Sequence, residues 1–558
     1  MIPTLQRIIG IDPELGRMGF RRPRTSIDDI RALIISPTRE LAEQISVEAK
    51  RLTKNTSVIV QTAVGGTQKG MHLRQMQREG CHILVGTPGR LFDLFSDPYS
   101  GVKAPRLQSL VYDEADRLLD AGFQDEISKI LQNLPTRQEQ DRQTLMFSAT
   151  VPDEVKHLVR STLKPDFQFV QTIKKDEAPT HERVPQRAVI VRSFENCLPA
   201  LVELCLKGLE DANKEGARPF KAIVYFPNTA DVILTNSIFR SLKDPDDIRQ
   251  DSFGSYGGRH PFAPARTFEI HSRLTQAART RAAENFRSCK SGILLSSDVT
   301  ARGMDFPEVT HVINMHLPPN REQYIHRIGR TGRAGKEGES WLIAGEIERG
   351  EMRQRLRGFP IQNATDTIAT ATVDMTRESE MAAPTARILR MVSESAKAAP
   401  IDQKVTAYSS RIGVFQYINP KSAFIEALNN LARYGWGMDP VPRIAPGLAQ
   451  KMGLSRVPGV NTGSDPYGGA MEGRGGGGRG GERRSFGDMF AGRGGRSDDR
   501  SGGYGSRGGY GDRPSYGDRG GRSGDRDAFS SDRGGFGGYG RDRGGDRQGF
   551  RPRSGGRY

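Results

Sequence analysis

The chain has 558 residues, too many for one core, so two folded domains with extensions are expected. Its 82 Lys and Arg against 66 Asp and Glu leave a net charge of +16, which favours a polyanionic partner, nucleic acid before membrane, although a generally basic solvated surface would give the same sum. Four cysteines, Cys81, Cys197, Cys205 and Cys289, are too sparse for a disulfide framework and lack zinc-site spacing, and no apolar run approaches the ~20 residues that span a bilayer; a reducing compartment and no membrane association are expected.

The first residues read as an amphipathic helix already under way, without a signal peptide; a targeting segment is expected to lie outside this chain. Short runs rich in Val, Ile and Leu predict strands over 32–36, 57–62, 83–85, 110–112 and 145–147, with helices over 40–51 and 116–134. Such alternation means crossover units and a mostly parallel α/β sheet, whose ligands bind beyond the C-terminal ends of the strands. A polar stretch over 174–185 reads as a linker. A second alternation then predicts strands over 188–191, 222–226, 267–270, 293–296 and 312–315, interrupted by a Gly- and Pro-rich insertion over 244–266 that reads as a surface loop. After Gly345 the pattern is helical, an extension over 346–458 with no further strand. From 459 to 558 Gly, Arg, Ser and Asp dominate. Residues 471–558 hold 19 Arg against 12 Asp and Glu with almost no aliphatic side chains, which predicts a disordered Arg/Gly-rich tail.

The sharpest chemical signal is Asp113-Glu114-Ala115-Asp116, directly after Leu110-Val111-Tyr112. A strand thus delivers two carboxylates at its tip. This is a Walker-B arrangement, in which Asp113 holds Mg²⁺, usually through water, and Glu114 activates the attacking water; an acidic helix start would use the same residues. Ser148 and Thr150 follow the next strand, where their hydroxyls can bond the Asp116 carboxylate or cap the following helix. In Tyr324-Ile-His326-Arg327-Ile-Gly-Arg330-Thr-Gly-Arg333, three arginines recur at every third position and on a helix would share a face. Like charges there repel unless an anion sits among them, and a γ-phosphate across an interdomain cleft makes them arginine fingers; a solvated basic face is the plain alternative.

Between these anchors, Ser297-Asp298-Val-Thr-Ala-Arg302-Gly303-Met-Asp305 again follows a strand, and small residues there let backbone approach phosphate or ribose. Pro37-Thr38-Arg39, Gly65-Gly66 and Thr87-Pro88-Gly89-Arg90 sit at strand-to-helix turns of the first domain. Each alone is ordinary turn chemistry; three on one sheet edge suggest a track for backbone phosphates.

In this order the residues resemble the DEAD-box family of superfamily 2 helicases, over about residues 2–345. The resemblance implies two RecA-like domains, 1–173 (ATP-binding, incomplete) and 186–345, closing around ATP and RNA to separate short duplexes with weak sequence preference. It implies that Asp113 binds Mg²⁺, that Glu114 is the general base, and that Arg330 and Arg333, with Gly303 and Asp305, complete the nucleotide site. It implies that Asp116, Ser148, Thr150, His326 and Arg327 couple the domains. RNA contacts would come from Pro37, Thr38, Arg39, Gly65, Gly66, Thr87, Pro88, Gly89 and Arg90 in the first domain. Asn228, Thr229, Gln276, Arg279 and Ser297 match the RNA-contact and interface motifs of the second. The extension and tail are similar to those of fungal mitochondrial helicases that assist intron splicing, implying the mitochondrial matrix; an Arg-Gly tail also occurs in nuclear and nucleolar members.

One departure stands out. Residues 1–558 contain no G-x-x-x-x-G-K-[ST] phosphate loop. The chain is expected to begin inside the helix that follows this loop, as an N-terminally truncated form. A polypeptide without the backbone cradle and Lys is expected to hydrolyse ATP poorly; the alternative to a helicase is a form that acts only by binding or annealing RNA. Loss of a central strand is expected to leave two broken edges in the first sheet.

Overall fold

The computed structural model describes residues 1–17, 25–66, 69–120, 122–136, 138–148, 153–170, 183–245, 248–250, 256–258, 260–300 and 304–468. The first domain opens with α1 (Ile2–Ile11) and then alternates β1 (Ala32–Ile35), α2 (Arg39–Leu52), β2 (Val60–Ala63), α3 (Lys69–Glu79), β3 (Ile83–Gly86), α4 (Pro88–Phe95) and β4 (Ser109–Tyr112). It closes with α5 (Ala115–Asp120), α6 (Gln124–Gln132), β5 (Gln143–Met146) and α7 (Asp153–Thr162). The strands lie in the order β2-β3-β1-β4-β5, all parallel.

Strands β1, β3 and β4 are buried at every position. Both faces of a parallel sheet are covered by helices, so its strands read as continuous apolar runs rather than alternating ones. The pleat still sorts them. Leu33, Ile35, Leu84 and Leu110 face one core with α4 and α6, while Ala32, Ile34, Ile83, Val85 and Val111 face another with Ile8 of α1 and Ala42 and Ala49 of α2.

Two expectations change here. The five strands form one unbroken sheet: β1 pairs with β3 on one side and β4 on the other, Leu33 standing opposite both Leu84 and Leu110. The open edge nearest the acidic motif is β5, whose four residues are half-buried; among the described residues the sheet is not split in two, and that one edge is exposed. The helix expected over 116–134 is two helices. Gly122, at φ +76°, ends the first turn, and the Phe123 N–H reaches back to the Leu118 carbonyl at 3.2 Å, a left-handed helix stop that favours glycine.

The second domain runs β6 (Gln186–Val191), α8 (Cys197–Asp211), β7 (Lys221–Tyr225), α9 (Thr229–Ser241), the short ladder β8 (Ile248–Gln250) and β9 (Tyr256–Gly258), then β10 (Arg266–Ile270) and α10 (Gln276–Ser288). It continues with β11 (Gly292–Ser296), β12 (His311–Met315), α11 (Arg321–Ile328), β13 (Glu339–Gly345), α12 (Arg349–Arg355) and β14 (Ile361–Asn363). The parallel sheet has the order β10-β11-β7-β12-β13-β6-β14.

The sheet therefore reaches past Gly345. β13 was not anticipated, and β14 adds an edge strand to β6 inside the segment expected to be helical only. The insertion is not only surface loop: β8 and β9 pair antiparallel, and Phe262 is fully buried against Phe239 at 5.0 Å. The extension follows with α13 (Ala383–Ala398), α14 (Ile401–Val414), α15 (Lys421–Asn430) and α16 (Pro446–Lys451). Its Met391, Ala407, Tyr408 and Phe424 share one core with Val189, Val224 and Ile313 of the second sheet. The start of the segment expected to be disordered is also packed, the Tyr467 hydroxyl donating to the Pro440 carbonyl at 2.6 Å. At the expected linker, Val184 is buried and the Pro185 carbonyl accepts from the Ser340 N–H at 2.9 Å, so 183–185 belong to the second domain. Residues 171–182 and the tail over 469–558 lie outside the described residues.

Candidate nucleotide and nucleic-acid site

The acidic motif begins where the β4 ladder ends, with the Asp113 N–H bonded to the Ile35 carbonyl at 3.0 Å. Glu114 then takes φ +50°, a left-handed conformation costing roughly 1 kcal/mol for a residue with a side chain. Two bonds hold that turn. The Glu114 N–H is taken by the Asp113 carboxylate at 3.1 Å, and the Ala115 N–H by the Phe147 carbonyl at 2.9 Å beside β5. Burial pushes the Asp113 carboxyl above its ordinary range, and Asp116 adds to this.

Asp116 enters α5 and is 1 % exposed. The Ser148 hydroxyl accepts its backbone N–H at 3.2 Å, a bond that fixes the turn. The carboxylate instead meets the other domain, Oδ2 lying 3.2 Å from His326 Nε2. Thr150 lies outside the described residues.

His326 belongs to α11, which Asn320 caps by accepting the Gln323 N–H at 2.8 Å. This helix ends at Ile328, so Arg327, Arg330 and Arg333 do not share a helical face. Arg327 points into the domain and is fully buried. Its Nε donates to Asp298 at 2.8 Å and its Nη1 to Asn314 at 3.2 Å, and it stacks over Tyr225 at 5.2 Å. Arg330 leaves from the turn after the helix, donating to the Met304 carbonyl at 2.6 Å. Arg333 opens a 3-10 turn and pairs with Asp305 at 2.6 Å. Burial, with Arg333 beside it, pushes Arg330 down to about 10, while Glu114 and Asp305 act the other way. Arg330 therefore feels the Glu114 charge across the cleft. Gly303 lies outside the described residues.

The three expected turns of the first domain follow β1, β2 and β3, which are adjacent in the sheet. Thr38 caps α2 by accepting the Leu41 N–H at 3.3 Å, Pro37 precedes it, and Pro88 opens α4 after Thr87, with Gly89 and Arg90 in its first turn. The Arg39 guanidinium lies on Gly65-Gly66. A Cβ at Gly66, whose φ of +76° itself favours glycine, would stand 2.2 Å from Nη1 and displace the guanidinium. In the second domain Asn228 and Thr229 begin α9, the Asn228 side chain accepting the Asp231 N–H at 2.9 Å; Ser297 follows β11 on the neighbouring strand.

Gln276 and Arg279 reach α2 of the first domain. Arg279 Nη2 lies 2.8 Å from Glu40 Oε1, both side chains nine-tenths buried, and Gln276 donates to Glu40 at 3.4 Å and Glu43 at 3.3 Å. Burial and the Glu40 charge raise the Glu43 carboxyl. The role of Glu40 and Glu43 was not read from the sequence; a carboxylate one residue after Arg39 was the only local signal. Asp298, which anchors Arg327 and accepts from Gln323 at 2.6 Å, was passed over for the same reason.

Two parallel α/β lobes, joined by His326 on Asp116 and with Glu114 at one strand tip acting on Arg330 from the other, define a nucleotide-driven helicase core. Residues 1–158 match the DEAD/DEAH box helicase model and residues 258–335 the helicase conserved C-terminal domain. The chain is 50% identical over 463 residues to the ATP-dependent RNA helicase mss116, mitochondrial, of Aspergillus fumigatus, covering 82% of this chain and 69% of that protein. It is 48% identical to the ATP-dependent RNA helicase cyt-19, mitochondrial, of Neurospora crassa, covering 83% and 71%. A solved structure of Mss116p (NTE and C-tail double deletion) bound to ssRNA and AMP-PNP superposes with a TM-score of 0.61 at 28% identity, covering 77% of this chain and 80% of that one. The chain belongs to the DEAD-box family of ATP-dependent RNA helicases.

Proposed function

We propose that the protein binds single-stranded and duplex RNA and remodels it locally with ATP, in the mitochondrial matrix, in the splicing or processing of mitochondrial transcripts. The observation that carries this reading is the contact of His326 with Asp116 across the two domains, with the Glu114 charge acting on Arg330 beside it. The two mitochondrial relatives support the compartment, and the ssRNA-bound neighbour supports the ligand.

In this mechanism Glu114 accepts a proton from the attacking water, and Arg330 and Arg333 offset charge on the transferring phosphoryl group. Asp113 suits Mg²⁺: its carboxyl, raised by burial, gains from a dication. Bound there, Mg²⁺ would neutralise phosphate charge. Arg39 with Gly65-Gly66, and Thr87, Arg90, Asn228, Thr229 and Ser297 hold the phosphates of one strand, so base sequence matters little and the 2′-hydroxyl selects RNA. The Glu40–Arg279 pair and the His326–Asp116 bond hold the domains closed. A strand bent by that closure loses its partner.

A second reading has a specific support. The 558 residues include no phosphate loop, and a polypeptide limited to them would bind and anneal RNA without turnover. Phosphate release by the purified 558-residue chain, with and without RNA, decides between the two. RNA-stimulated release that disappears in Glu114→Gln, with RNA affinity kept, supports the helicase. Release at background in both, with RNA still bound, supports the second.

A further inference from the structure

Arg411 sits on α14 in the helical extension, yet its guanidinium ends inside the second domain and is 8 % exposed. Phe194, Phe415 and Trp436 surround it with ring centroids 5.7–5.9 Å away. Nε donates to Asp231 Oδ1 at 3.1 Å, and Nη1 lies 3.3 Å from His316 Nε2. A guanidinium only donates, so Nε2 accepts and the His316 proton is on Nδ1, facing Glu348 Oε2 at 2.7 Å. Glu348 also accepts from the Gly345 N–H and the Tyr417 hydroxyl, each at 2.8 Å.

The other end of this chain of bonds is the turn after β7. Asp231 Oδ2 accepts from Asn228 Nδ2 at 2.8 Å, and Asn228 Oδ1 takes the Asp231 N–H at 2.9 Å. Asp231 thus grips Asn228 with one oxygen and Arg411 with the other. The Thr229 hydroxyl is next along, 3.3 Å from Ser272. One side chain from the extension therefore ties down the turns after β7, β12 and β13, all at the C-terminal edge of the sheet.

Apolar contact already joins the extension to this sheet. A buried ion pair adds little stability over an apolar substitute, because desolvation offsets the attraction. What it supplies is geometry: a planar fork sets two partners at fixed distance and angle. We propose that Arg411 is a positioning residue for RNA, acting through Asp231 to set the Asn228-Thr229 turn, so that the helical extension controls the second domain's hold on the RNA backbone. This rests on the reading above that Asn228 and Thr229 contact RNA.

The test uses the full 558-residue chain and a labelled single-stranded oligouridylate. Kd is measured for Thr229→Ala, Arg411→Met and the double variant, with the melting temperature of each. Thr229→Ala and Arg411→Met are each expected to weaken binding ~3- to 10-fold at temperatures well below melting, and the double variant to be no weaker than the worse single one, because coupled residues are non-additive. Should Arg411→Met not fold, Arg411→Lys and Asp231→Asn, which keep volume, replace it. Effects that multiply in the double variant, or an Arg411 change that lowers melting and leaves Kd unaltered while Thr229→Ala weakens binding, overturn the proposal and leave the RNA reading standing. No effect of Thr229→Ala overturns both.

Discussion

His326 of the second domain and Asp116 of the first stand 210 residues apart in the chain and 3.2 Å apart in space, with side chains 6 % and 1 % exposed. Between these domains such a bond forms only when the lobes meet, so it reports closure. His326→Ala is expected to lower RNA-stimulated ATP turnover at least ~10-fold, and Asp116→Asn to do the same. The double variant should be little worse than either, since one bond is being removed twice. Steady-state phosphate release against RNA concentration checks this; independent, multiplying losses would dissociate the pair.

The Glu40–Arg279 pair makes the second bridge. Removing one partner of a buried pair leaves an uncompensated charge and costs roughly 3–5 kcal/mol. Arg279→Ala should therefore shift the domains toward the open state strongly, and Glu40→Gln less so, because an amide can still accept from the guanidinium. Energy transfer between dyes on the two domains, read with RNA and an ATP analogue, measures the shift. Equal closure in Arg279→Ala and the unmodified protein would refute it.

Gly66→Ala places a methyl group 2.2 Å from the Arg39 guanidinium at a backbone φ of +76°. The cation must move off the doublet. RNA affinity is expected to fall ~5- to 20-fold, with a smaller salt dependence because one phosphate contact is lost. Binding titrations at two salt concentrations test this. The melting temperature should fall only modestly, since Gly66 is exposed and a Cβ at a left-handed φ costs roughly 1 kcal/mol.

Glu348 has a pH signature. Burial alone would raise its carboxyl, but His316, the Gly345 N–H and the Tyr417 hydroxyl together hold it below the ordinary value of 4.5. A folded-state value lower than the unfolded one stabilises fully above about 4.5 and is lost as the pH falls through the folded value. The melting-temperature advantage of the unmodified protein over Glu348→Gln is therefore expected to be constant near neutrality and to shrink below about pH 4.5. Thermal unfolding of both across that range decides it; an advantage that grows in acid would contradict the assignment.

Much of the core was legible in the linear chain. Continuous runs such as Ala-Leu-Ile-Ile at 32–35 announced buried parallel strands, and Asp113-Glu114 after Leu110-Val111-Tyr112 announced a strand tip, because both signals need only near neighbours. Legibility failed where local rules compete. The helical spacing of Arg327, Arg330 and Arg333 was real, but Gly329 stopped the helix after Ile328 and sent the side chains in different directions. The strand Ile361–Asn363 is only three residues long and lies beyond a stretch rich in Arg and Glu, so nothing local marked it as part of a sheet.

Residue order alone thus settled the chemical equipment: which carboxylates, guanidinium groups and hydroxyls stand at the ends of strands. Folding settled their company. Strand order made neighbours of three turns that are separate in the chain, turned Arg327 inward, set Glu40 against Arg279 and carried Arg411 across 180 residues to Asp231. The reason is physical: periodicity and turn chemistry act over a few residues, whereas pairing between distant side chains depends on how whole sheets and helices pack, which no short window of sequence contains.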